Sequence, residues 1–163
     1  MNIEGSERAP GIHTEGRGAQ FEMRRVALAA VIGGAVAAVA NTALYFVFHG
    51  MGVDFVIQPS SAVPAAPIPV PSFVVASFVP ALVAGGLLLV LGRFTKKARR
   101  VFLIVACAFA ALSLAGPGTT GGASPGTRVV LMVMHLVAAT VITGALMLSA
   151  RTGEGATPPA VGR

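Results

Sequence analysis

The sequence has one cysteine, no tryptophan and a single tyrosine, and only 11% of its residues are charged. A lone Cys107 excludes an intramolecular disulfide and a cysteine-based zinc cluster. It lies mid-run among alanine and phenylalanine, where a small, buried apolar side chain is expected. The shortage of charge excludes a soluble domain of this length, which needs far more polar surface. Only Asp54 and the histidines His13, His49 and His135 offer acid–base groups near the apolar runs. No nucleophile–base pair and no metal-ligand spacing is visible. No catalytic residue, no metal and no cofactor is therefore expected; a haem held by two histidines is disfavoured because His49 lies ~10 Å shallower than His135 at 1.5 Å per residue.

What the chain has instead is apolar length. Of its 163 residues 55% are hydrophobic, and the mean hydropathy is +0.80. Crossing ~30 Å of hydrocarbon takes roughly 20 apolar residues. Four runs meet this: 26–48, 73–92, 98–116 and 129–150. The third is short and is expected to stop at the Pro117-Gly118 turn. The first resembles a signal peptide with an "AVA" site at 38–40, but its apolar run continues too far, so an uncleaved span is expected. Residues 1–23 and 151–163 read as disordered polar tails around a membrane domain at 24–150.

The net charge of +6 would point to nucleic acid in a soluble protein. Here the cations sit at the ends of apolar runs. Arg8, Arg17, Arg24, Arg25, Arg93, Lys96, Lys97, Arg99, Arg100, Arg151 and Arg163 fall on one side, and Arg128 alone on the other. The positive-inside rule then puts both termini and the "RFTKKARR" loop in the cytoplasm, at lipid headgroups. Arginine outnumbers lysine ten to two amid abundant Ala, Gly and Val, the usage of a GC-rich bacterial genome. The expected location is the inner (plasma) membrane.

The opposite side carries the loop 50–72, with Asp54 its only charge and prolines at 59, 64, 67, 69 and 71. Alternating prolines in "PIPVP" prevent a helix. Irregular backbone is not tolerated in hydrocarbon, so the loop must lie at the interface or cover the mouth of the bundle.

The polar side chains of the spans share one depth. His135 lies seven residues in from Arg128, ~10 Å, and Asn41 eight residues in from His49, ~12 Å. Ser77 and Ser113 lie in the same outer half. Polar groups in spans face one another because lipid offers no partner. Contact between Asn41 and His135, directly or through water, is therefore expected. Small residues at helical spacing (Ala29, Gly33, Ala37; Ala81, Gly85) should let backbones approach closely, and Pro80 should kink the second span.

Several of these pieces occur together in order: a basic pair, Asn-x3-Tyr at Asn41 and Tyr45, "GVDFVIQP", a basic loop, "SLAGP" and "MHLVAA". The combination resembles a family of uncharacterised bacterial four-span integral membrane proteins, a domain of unknown function, over residues 24–150. The resemblance implies the four-helix architecture and that Asn41, Asp54 and His135 fall on recurring motifs. It implies no activity. The expected fold is an all-α integral membrane four-helix bundle. The expected function is a non-enzymatic structural or accessory component whose partners are the lipid bilayer and another membrane protein or a second copy, with no nucleic acid. The alternative is a small oligomeric transporter or proton-coupled carrier built on Asn41, His135, Ser77 and Ser113.

Overall fold

A computed structural model describes the backbone of residues 14–154 and the side chains of residues 23–150. The order is α1 (Thr14–Gly50), β1 (Val56–Ile57), β2 (Ala66–Pro67), α2 (Pro71–Phe94), α3 (Ala98–Ser113), α4 (Ala115–Thr119) and α5 (Pro125–Glu154). Four stretches, Met23–Gly50, Pro71–Phe94, Ala98–Thr119 and Pro125–Ala150, are long and apolar enough to cross a membrane. The chain is thus a multi-pass, all-α membrane protein. α1 begins upstream of the expected tail boundary at residue 23, and α5 runs on past Ala150. Arg8, His13 and Arg163 lie outside the described residues, as do the side chains of Arg17 and Arg151.

Side-chain size is sorted as lipid requires. On α1 the large residues Leu28, Ile32, Val36 and Val39 point outward, and Ala30, Ala37 and Ala38 are buried. Lipid satisfies a leucine as well as a core does, so the interior goes to residues that let backbones close up. α1 and α2 run antiparallel along one seam. Ala30 meets Gly85, and Gly34 meets Ala81; one step further along, Asn41 meets Ser77. Gly33, one residue round the helix, faces Ile142 and Ala145 of α5 instead. The two adjacent glycines of α1 therefore serve two different neighbours.

α3 is the outlier. Phe102 is its one buried residue, and Leu103, Ile104, Phe109 and Leu112 face outward. Cys107 is exposed on this helix rather than buried, because most of α3 looks away from the other spans. The third span also does not stop at Pro117. It breaks earlier, between Ser113 and Ala115, and resumes as α4 with Pro117 buried inside it. Proline has no N–H for the carbonyl four residues back, which is that of Ser113, so the helix yields there.

The other helix ends follow local chemistry. Past α1, Gly52 takes φ +92, Gly52 N–H donates to His49 O at 3.0 Å and Val53 N–H to Phe48 O at 3.0 Å. This is a left-handed glycine cap. α2 opens on Pro71, where a missing N–H costs nothing. At α5 the Ser124 hydroxyl accepts from Thr127 N–H at 3.2 Å.

The segment between α1 and α2 covers one end of the helices. Its strands pair antiparallel, Val56 with Pro67 and Ile57 with Ala66. Gln58 bridges to Gly121 beyond α4, with Gln58 N–H on Gly121 O at 2.8 Å. Phe55 plugs the mouth, 1% exposed, among Phe73, Val130, Leu131 and Met134. The proline-rich segment thus packs over one end of the helices.

Candidate functional site

Polar side chains inside the spans must find partners on helices. Ser77 gives its proton to the Phe73 carbonyl of its own helix at 2.8 Å. A hydroxyl has one proton, so toward Asn41 Ser77 can only accept. That fixes the amide: Asn41 Nδ2 donates to Ser77 Oγ at 3.3 Å. The other amide atom, Oδ1, is buried, and no donor among the described residues reaches it. Asn41 is 6% exposed and Ser77 fully buried.

His135 meets its need within α5. Its Nδ1 lies 2.8 Å from Leu131 O. A carbonyl only accepts, so Nδ1 carries the hydrogen and the lone pair of the neutral ring is on Nε2. No direct hydrogen bond joins His135 to Asn41. The α1–α2 seam turns the amide toward Ser77, and the imidazole folds back on its own turn.

The two residues nevertheless share a space. A cavity of about 670 Å³ lies between α2, α3 and α5, and Asn41, Ser113 and His135 line it at the end nearer the β-strands. On α2 its wall runs from Phe73 to Leu87, ~20 Å at 1.5 Å per residue. The rest is largely apolar: bulky Phe102, Phe109, Leu131, Met134 and Ile142 share the wall with Ala84, Ala106, Ala110, Ala138 and Ala139, which leave room that larger side chains would fill. Ser113 gives its proton to Ala110 O at 2.7 Å. Ser77 is not on the wall; it holds Asn41 there.

Asp54 is exposed in the covering segment and takes no part. Tyr45, near the same end of α1, packs between Phe55, Phe73 and the ring of His49, whose plane lies 8° from its own. Arg24, Arg25, Arg93, Lys96, Lys97 and Arg100 are exposed and Arg99 is half-buried, all at the opposite end of the helices from Asn41. Among the described residues no cluster of His, Cys, Asp and Glu fits a metal ion.

Sequence reasoning named the polar residues, and a kink at Pro80 would widen a space at their depth, but the length of the cavity was not legible. A signal was present. Ala106, Ala110 and Ser113 recur at helical spacing on α3 and mark a face of small side chains. Such a face reads equally as close packing, and here it stands apart from its neighbours.

The orphaned Oδ1 has a measurable consequence. A buried acceptor without a donor costs roughly 1–3 kcal/mol, whereas an interhelical hydrogen bond in a membrane averages ~0.6 kcal/mol. Asn41→Leu removes both and keeps the shape. It should raise the thermal midpoint of the detergent-solubilised protein, by about 1 kcal/mol of stability. A clear loss of stability would show that Oδ1 is satisfied in the folded protein.

A family model described as a family of unknown function (DUF6069) matches residues 21–152. No curated protein and no solved structure matches the chain.

Proposed function

The chain belongs to this family of unknown function, and from that premise we propose that it is a non-enzymatic, accessory component of a bacterial plasma membrane that holds a lipid-like molecule between its helices. The observation that carries this is the cavity: long, mostly apolar, with Asn41, Ser113 and His135 gathered at one end and Thr143 the one polar side chain further along its wall. Val75, Val79, Val83 and Phe109 on its rim are themselves exposed, so the cavity opens sideways between the helices toward the surrounding lipid. A space of this length, apolar along most of its wall, matches an amphipathic guest lying along the helices.

The orientation proposed has both termini in the cytoplasm. Its support is the gathering of Arg24, Arg25, Arg93, Lys96, Lys97, Arg99 and Arg100 at one end of the helices. The guest's polar head would then lie in the outer half of the membrane, near Asn41 and His135. A proton-coupled carrier draws less support. Among the described residues lining the cavity, His135 is the only titratable one, and a relay needs more than one station.

Native mass spectrometry of the full-length protein, released from a mild detergent, tests the proposal. The wild type should carry an added mass in the lipid range. Ala139→Phe, which fills the cavity from the α5 wall, should not. His135→Ala should carry less than the wild type. An identical bare subunit from the wild type and Ala139→Phe would rule the guest out.

A further inference from the structure

We infer that the guest is a lipid alcohol: a long apolar chain whose hydroxyl head sits at the Asn41–His135 end of the cavity. This rests on the occupancy proposed above and specifies the head group.

The inference follows from counting protons at that end. Three donors are already committed to the protein. Ser77 gives its hydrogen to Phe73 O, Ser113 gives its to Ala110 O, and His135 Nδ1 gives its to Leu131 O. What is left over accepts. His135 Nε2 makes no hydrogen bond among the described residues, and the residue lies on the cavity wall; Asn41 Oδ1 also has no donor but is itself sealed from the cavity. Pro80 has no N–H for the carbonyl of Ala76, and both residues line the cavity. Against these stands one leftover donor, the second hydrogen of Asn41 Nδ2.

Each head group meets this set differently. A carboxylate offers only acceptors and a negative charge, and no cation lines the cavity among the described residues; its burial would be costly. An ester, an ether or an oxidised quinone also brings acceptors alone. An ammonium brings donors but also a charge, and no carboxylate lines the wall to balance it. A hydroxyl is neutral. It donates one hydrogen to a leftover acceptor and takes the leftover amide hydrogen on its own lone pair. The apolar length beyond, from Phe73 toward Leu87, is matched by a chain. Prenyl alcohols, diacylglycerols and hydroquinones all carry this head.

The test is photo-crosslinking to the full-length protein in phospholipid nanodiscs. The probe is hexadecanol carrying a mid-chain diazirine, with crosslinked peptides mapped by mass spectrometry. The competitors are hexadecanol, its methyl ether and palmitic acid. Labelling should map to α2, α3 and α5, and only hexadecanol should displace it efficiently. His135→Phe keeps a ring and removes Nε2, and should weaken labelling roughly five-fold, the scale of one buried hydrogen bond. A prenyl alcohol, a diacylglycerol and a reduced quinone, run as further competitors, would then identify the source by rank. Equal displacement by ether, acid and alcohol would overturn the hydroxyl assignment and leave occupancy standing. Labelling that misses these helices would overturn both. The competitor series on the wild type decides between alcohol, ether and acid even where His135→Phe does not fold.

Discussion

Phe55→Ala should free the covering segment and cost about 3–5 kcal/mol, the range for deleting a buried phenylalanine ring. Phe55 is 1% exposed. Its ring centroid lies 4.8 Å from that of Tyr45 and 6.0 Å from that of Phe73, and its carbonyl accepts from Ile68 N–H at 2.9 Å. The residue also holds φ +49, left-handed backbone that a bulky side chain seldom adopts. Such a conformation costs on the order of 1–3 kcal/mol and persists only where packing enforces it. Here the ring provides the enforcement.

Two consequences separate ring from backbone. Phe55→Ala loses the ring and keeps the strain. Phe55→Gly loses the ring and relieves the strain, so it should be the milder change by about 1 kcal/mol. Limited proteolysis across residues 50–70 reads the result: rapid cleavage in Phe55→Ala, slower in Phe55→Gly, slowest in the wild type. Wild-type resistance in Phe55→Ala would mean that the strand pair and the Gln58–Gly121 bridge hold the segment without the plug.

Gly85→Val should cost about 3 kcal/mol, the upper end for overpacked interiors. A Cβ added at Gly85 would stand 2.8 Å from the Ala30 Cβ, closer than real Cβ atoms come. Ala30 is 2% exposed and has nowhere to retreat. Relief requires moving α1 away from α2, and that loosens the Gly34–Ala81 approach and the Asn41–Ser77 hydrogen bond on the same seam. The damage should therefore spread along the seam.

A compensating pair isolates the cause. Gly85→Ala alone should lower the unfolding midpoint in detergent. Gly85→Ala combined with Ala30→Gly moves the one methyl group to the facing helix and should recover most of the loss. Strong positive coupling in this double-mutant cycle is the signature of direct contact. Additive losses would mean that the two helices do not meet at these residues. Gly86, beside it, has open space where its Cβ would be, so Gly86→Ala is the neutral control.

The sequence by itself determined the four apolar segments and the all-α class, because hydrocarbon permits few alternatives to a helix of about 20 apolar residues. It determined that the proline-rich segment is not a helix, since proline lacks the donor. It also singled out Asn41, Ser77, Ser113 and His135, because polar atoms in an apolar run stand out whatever the fold. Helix rotation lay beyond it. A turn of ~100° per residue decides which neighbour a side chain meets. Depth alone placed Asn41 and His135 at one level, but it was the close seam of Ala30, Gly34, Ala81 and Gly85 that set the rotation of α1 and gave the Asn41 amide its direct partner, Ser77. The tertiary structure also decided where close packing ends. Ala30, Ala81 and Ala145 sit where helices close up, while Ala84, Ala106, Ala110, Ala138 and Ala139 face a cavity. The residue type is the same in both places, and only the distance between the helices tells them apart.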